Sequence, residues 1–166
     1  MADTSSFDVT STIDFAEVDN ALNQARKEVG QRYDFKGALT EINFSAADKT
    51  LTLVADNDFK LTALWEIVQT RLIRRGVPIK NFKVEDSEPA AGGTVRRVMP
   101  IQEGIPSETA KEIVKFIKEN KLKKVQASIQ GDQVRVTSGS KDDLQEAIRV
   151  LRGHDFGVAL QFGNYR

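Results

Sequence analysis

The chain has 166 residues, 40% hydrophobic and 29% charged, with 24 Lys and Arg balanced by 24 Asp and Glu, and no apolar run reaches the roughly 18 residues a membrane helix needs. Zero cysteines and one histidine exclude a disulfide framework, a thiolate metal site and a cysteine nucleophile, a composition that suits a reducing cytoplasm. The opening Met1-Ala2-Asp3-Thr4 lacks a basic region followed by an apolar core, so no signal peptide is expected and the expected compartment is the cytoplasm. Charge is uneven along the chain: residues 1–92 hold 11 Lys and Arg against 15 Asp and Glu, and residues 93–166 hold 13 against 9. That asymmetry would draw an anionic ligand to the second half, or one half to the other. It is too slight for a dedicated duplex-DNA binder.

Phe7, Val9 and Ile13 alternate among polar residues, as on a strand. Asp14 offers an N-cap, and Phe15, Val18, Leu22, Ala25 and Val29 recur at three- and four-residue steps, which predicts an amphipathic helix to about Arg32. Ile42 with Phe44, and Leu51 with Leu53, predict two strands joined by a hairpin loop over Ser45-Ala46-Ala47-Asp48-Lys49. Asp58 is the expected cap of a second helix with its stripe at Leu61, Leu64, Trp65, Val68 and Leu72. Gly76 and Pro78 end that helix, with Arg71, Arg74 and Arg75 near its negative pole. A short strand at Phe82 and Val84 completes βαββαβ, and the aperiodic stretch Glu85 to Gly93 reads as a linker.

The same order then repeats. Val95 to Met99 is a strand, Ser107 to Asn120 a helix with Ala110, Ile113, Val114 and Ile117 on its apolar face. Val125, Ala127 and Ile129 pair with Val134 and Val136 through a tight Gly131-Asp132 turn. A helix from Lys141 to Arg152 and a strand from Leu160 to Phe162 follow. Local sequence repeats too: Arg71-Leu72-Ile73-Arg74-Arg75-Gly76 matches Arg149-Val150-Leu151-Arg152-Gly153. The expected fold class is therefore α+β, two tandem ferredoxin-like domains over residues 1–92 and 93–166, each an antiparallel sheet with two helices on one face. RNA-recognition domains of this topology stack bases on the free face of the sheet, an analogy of architecture only.

Ser6-Phe7-Asp8-Val9, Arg32-Tyr33-Asp34-Phe35-Lys36-Gly37, the run from Lys121 to Val136 and Leu160-Gln161-Phe162-Gly163-Asn164-Tyr165-Arg166 together resemble the bacterial YajQ family over essentially the whole chain. The resemblance implies that the domains exchange their N-terminal strands, with the strand near Phe7 in the second sheet and that near Val95 in the first. It also implies nucleotide binding, some members being cyclic di-GMP effectors. Where relatives often carry Gly-Lys after the second hairpin strand, this chain has Ser138-Gly139-Ser140-Lys141, an insertion that would displace Lys141 from any phosphate it meets there.

No G-x-S-x-G, P-loop or H-E-x-x-H pattern occurs, and His154, between Gly153 and Asp155 past a helix end, reads as a charge-complementing cap. Neither an enzyme nor a cofactor is expected. Alternation leaves Gln126, Ser128, Gln130, Gln133, Arg135 and Thr137 on the free face of the second sheet. These form either an array that reads base edges, with Arg135 gripping a phosphate or a guanine, or a plain solvated surface. Neither hairpin carries the aromatic RNP1 pattern. Tyr33 and Phe35, flanked by Arg32 and Lys36, would stack and hold a nucleotide or merely pack a connector. Phe7 and Phe162 fall on inward positions. The spacings Arg71-x-x-x-Arg75 and Arg152-x-x-Asp155 resemble cyclic di-GMP motifs but arise cheaply in an arginine-rich chain. Lys111, Lys115 and Lys118 share a helix face that continues toward Lys121, Lys123 and Lys124. It reads as a solvated face with i,i+4 pairs, or as a stripe for an RNA backbone.

Three functions are consistent with these residues. The first is a sensor of cyclic di-GMP, GTP or ATP that signals through a protein partner such as a transcription regulator. The second is a binder of tRNA or rRNA, and the third a ligand-free adaptor.

Overall fold

The computed structural model describes residues 4–120, 122 and 124–166. Its elements run β1 (Ser5–Thr10), α1 (Phe15–Gln31), β2 (Glu41–Ser45), β3 (Thr50–Ala55), α2 (Asp58–Arg74), β4 (Glu88–Pro89), β5 (Val95–Pro100), α3 (Ser107–Glu119), β6 (Val125–Gln130), β7 (Gln133–Ser138), α4 (Lys141–Arg152) and β8 (Gln161–Gly163). The strands form two four-stranded antiparallel sheets, ordered β2-β3-β5-β4 and β6-β7-β1-β8. In each, the inner position next to the hairpin is filled by the first strand of the other βαββαβ repeat: β1 pairs with β7, and β5 with β3. These are two ferredoxin-like units with their first strands exchanged.

The compact units follow that exchange: one is Ile13–Gln102, and the other takes β1 together with everything from Glu103 onward. The exchange cancels the charge asymmetry counted by halves. Residues 13–102 hold 13 Lys and Arg against 13 Asp and Glu, and residues 1–12 with 103–166 hold 11 against 11. No net field separates the units, so any attraction of an anion is local.

In the first unit, Ile13–Gln102, α1 and α2 lay Val18, Leu22, Leu61, Leu64 and Leu72 against Leu51, Leu53 and Met99 of the sheet. All eight are fully buried, and each such side chain contributes about 1.5–3 kcal/mol relative to exposure. The cap of α1 is Asp14, whose carboxylate accepts from the amides of Ala16 and Glu17. That of α2 is Asn57 rather than Asp58: Asn57 Oδ1 accepts from the Lys60 amide at 2.9 Å. Ile13 lies beyond β1 and is buried in this core, so the alternation that extended the first strand to it joined two elements.

The fourth strand also differs from expectation. Phe82 forms only an isolated bridge to Ile101 and Val84 is exposed, while Glu88–Pro89, inside the expected linker, pairs with Arg96 and Val95 as β4. A two-residue strand carries no periodicity, and proline is tolerated because β4 lies on the sheet edge.

In the second unit the core joins Phe7 and Val9 of β1 to Val134, Val136, Ile113, Ile117, Leu144, Ile148 and Leu151. Gly104 (φ +83°) turns the chain into α3; its amide donates to the Ser11 carbonyl at 2.7 Å, and a Cβ there would stand 2.6 Å from Asp132 Oδ2. Only glycine satisfies both the backbone angle and the approach. Among the described residues, no helix is long and apolar enough to cross a membrane.

Candidate functional site

The open face of the second sheet carries the predicted polar array. Gln126, Ser128 and Gln130 of β6 are exposed, and Gln133, Arg135 and Thr137 of β7 are half-buried. Gln130 Nε2 donates to Ser128 Oγ at 3.2 Å. Arg135 stands opposite Asp8 in the register of β1 and β7, and its Nε donates to Asp8 Oδ1 at 3.0 Å. Asn164 Nδ2 donates to the other carboxylate oxygen at 2.5 Å. Asp8 is 5% exposed. The hydrogen bond from Arg135, foremost, and that from Asn164 hold its carboxyl below the ordinary value against the opposing cost of burial. The same contact raises Arg135. The role this geometry gives Arg135 is to neutralise a buried carboxylate.

The predicted aromatic clamp of the first unit divides in two. Tyr33 is 87% exposed, whereas Phe35 is 4% exposed and belongs to the core. Phe35 therefore cannot stack a base; Arg32 and Lys60 cover its ring at 5.6 and 5.3 Å. Arg32 forks onto Asp34 at 2.9 and 2.7 Å, which raises the arginine and lowers the carboxyl. Lys36 is exposed.

The arginine spacings are likewise occupied. Arg71 Nη2 lies 2.9 Å from Glu28 and Arg75 Nε 3.5 Å from Glu17, both on α1. Arg152 covers the Phe162 ring at 5.2 Å, and Asp155 accepts from the Gly157 amide. His154 stacks against Phe116 and Phe156, at 4.6 and 4.5 Å between ring centroids. The expected cap is thus a packed ring. Of the lysine stripe, Lys111, Lys115, Lys118 and Lys124 are exposed; Lys121 and Lys123 lie outside the described residues.

A concave site that brings cationic and aromatic groups together lies elsewhere in the second unit, on the helix side of the sheet between β1 and α4. It has a volume of about 270 Å³ and is lined by Ser5, Ser6, Phe7, Lys141, Leu144, Gln145, Ile148, Tyr165 and Arg166. Its origin is topological. β8 covers β1 only from Asp8 to Thr10, so the start of β1 is met instead by the segment after β8. Asn164 takes a positive φ of 52°, and Arg166 exchanges two backbone hydrogen bonds with Ser6, at 3.2 and 3.0 Å. The Tyr165 ring packs on Phe7 at 6.4 Å and stays 62% exposed. Lys141 opens α4 from the other side, behind Ser140, whose hydroxyl caps the helix by accepting from the Asp143 amide. Phe7, Leu144 and Ile148 form an apolar floor under two cations, one amide and one phenol.

The family described as nucleotide-binding protein YajQ-like matches residues 5–166. The chain belongs to the YajQ-like family. Among its relatives, proteins named "nucleotide-binding protein" from Trichlorobacter lovleyi and Geotalea uraniireducens are 48% and 50% identical over 161 residues, covering 97% of this chain and 98% of each relative. One from Desulfitobacterium hafniense is 47% identical over the full length of both. Of the residues around the pocket of this YajQ-like protein, Lys141 was singled out by the inserted residue before it. Gln145 and Arg166 lie in runs that carry the family resemblance, but nothing in the sequence joined them to Ser5, because only the exchange of β1 and the shortness of β8 bring them to one place.

Proposed function

We propose that this chain is a non-catalytic nucleotide-binding protein that takes a guanine nucleotide, cyclic di-GMP or GTP, in the β1–α4 pocket of its second unit and signals through a protein partner. The observation that carries this reading is the convergence of Lys141, Arg166, Gln145 and Tyr165 on one apolar-floored cavity. Arg166 offers a planar fork for phosphate oxygens and Lys141 a second positive charge. The exposed Tyr165 face offers a platform for a base, and the Gln145 amide presents the donor and acceptor that a guanine edge requires. A volume of about 270 Å³ is at the small end for ligand pockets. It suits one base and one phosphate, so the second half of a cyclic dinucleotide would stay outside.

The names of the relatives support nucleotide binding.

Calorimetric titration with cyclic di-GMP, GTP, ATP and a short RNA, at low and high salt, tests the reading. Saturable, salt-tolerant binding of a guanine nucleotide is expected, weakened about tenfold or more by Lys141→Ala or Tyr165→Ala and little by Arg135→Ala. Loss with Arg135→Ala alone would return the site to the open sheet face. Heat with RNA only, vanishing at high salt, would replace the nucleotide reading by RNA binding.

A further inference from the structure

The outer strand of the second sheet is unguarded. β6 is a six-residue edge strand whose sequence, Val125-Gln126-Ala127-Ser128-Ile129-Gln130, contains no charge and no proline, the devices by which natural sheets block pairing with another chain. The matching edge of the first sheet is blocked: Arg26 reaches from α1 to donate through Nη2 to the Ile42 carbonyl of β2 at 2.6 Å, and Glu41 adds a charge on the strand. Beside β6 runs a shallow groove of about 440 Å³ with Val114, Ala127 and Ile129 as its floor and Lys111, Lys115 and Lys118 of α3 as its wall. Ile129 stands opposite the buried Val134 yet is 44% exposed, an apolar side chain on the inward register that the described residues leave open to the groove.

The charges of α3 are sorted between its flanks. Glu112 and Glu119 line the opposite side, with His154 and Phe156, and only Lys115 borders both, 3.7 Å from Glu119. The groove is thus walled by cations alone.

We propose that β6 and this groove dock an acidic, extended peptide segment of a partner protein, which adds as a fifth strand to the second sheet. The strand edge supplies backbone hydrogen bonds, and the side chains that the added strand turns toward α3 meet Ala127 and Ile129 where they are apolar and the α3 lysines where they are carboxylates. Charge complementarity selects this occupant over a second copy of the chain: a symmetric β6–β6 pairing would set two lysine walls against each other. An apolar floor along an unpaired strand also fits a polypeptide better than a nucleic-acid backbone. The proposal stands on the edge geometry and does not depend on nucleotide binding in the β1–α4 pocket.

The test uses the full chain, labelled for NMR, titrated with an end-capped peptide of about eight residues in which Val and Glu take turns at every second position with Thr between them, so that both face α3. Three further probes are the Lys-for-Glu peptide, the Glu-Val peptide N-methylated at alternate residues, and oligouridylate. The expected result is saturable binding of the Glu-Val peptide with shifts confined to β6 and α3, and slowed exchange of the outward β6 amides. Affinity should fall about tenfold or more with Lys111→Glu combined with Lys118→Glu, and with Ile129→Lys. N-methylation should abolish binding. Undiminished binding of the methylated peptide, equal binding of the lysine peptide, or no saturation in the millimolar range would each overturn the proposal. Oligouridylate shifting the same residues where the peptide does not would assign the lysines to RNA. The double lysine variant alters only exposed side chains, so it keeps the result interpretable if Ile129→Lys disturbs the strand.

Discussion

The two sheets share one register and put different chemistry on it. Counting from each hairpin, Leu51 and Leu53 of β3 face Met99 and Arg97 of β5, while Val134 and Val136 of β7 face Val9 and Phe7 of β1. At the inner rung, the exchanged strand of the second sheet therefore contributes Phe7, fully buried, where that of the first contributes Arg97, whose Nε is buried with no partner among the described residues. On the opposite face the second sheet holds the Asp8–Arg135 pair, where the first has Val98 beside Thr52. At the outer edge Arg26 closes β2, whereas β6 is open. The comparison teaches that a duplicated topology preserves which positions face inward and leaves free what occupies them. Specialisation has gone to the second unit, with its filled core rung, its pocket and its open edge.

The largest effect should come from emptying the rung that distinguishes the second core. Phe7→Ala is expected to destabilise by about 3–5 kcal/mol. Denaturant unfolding should show the loss, and native-state hydrogen exchange should place it in β7 and α4 before α1 or α2, if the unit that β1 stabilises is the one it pairs with. Equal loss of protection in the helices of the first unit would contradict that partition.

The next effect concerns Asp8. Because its carboxyl is held below the ordinary value near 3.8, the unfolded chain takes up the proton first as the pH falls. The stability contributed by the Asp8–Arg135 contact is then complete above about pH 5 and is lost as the pH drops below 4 and through the lowered native value. Asp8→Asn should lower stability at pH 7 by about 1–3 kcal/mol and flatten the acid limb of a melting-temperature profile. An acid limb unchanged in slope would mean that other carboxylates set it.

The smallest effect has the opposite sign. Arg97→Leu should stabilise by about 0.5–1.5 kcal/mol, because it removes a buried, unpaired donor and makes the rung apolar, as Phe7 makes the matching one. A destabilised variant would show that the Arg97 guanidinium is satisfied in a way its position does not reveal.

Much of the fold was legible because the elements are long enough to show a period. The stripe of α2 and the alternation of β6 and β7 mark their own inward faces, and the repeated order marks the duplication. The cap of α2 was placed one residue late because Asn57 and Asp58 are both competent caps. β4 was hidden in the aperiodic stretch around Pro89, too short for alternation. The candidate site was far less legible. Periodicity put Arg135 on the right face but not beside Asp8, 127 residues away; it put Phe35 next to Arg32 without its burial. The charge count by halves pointed to an asymmetry that the strand exchange cancels.

By itself, the sequence determined the local periods, the tight turns and the order of two βαββαβ repeats, all of which depend on neighbours within a few residues and on which face meets water. The tertiary structure decided which cations are already paired, where Ser5, Lys141 and Arg166 converge and which edge is left open, and it bore out the strand exchange that the family resemblance had implied. Those outcomes arise from contacts between residues far apart in the chain. A strand pairs through backbone groups that are the same at almost every residue, so its partner is chosen by the packing of whole elements and not by any motif it carries.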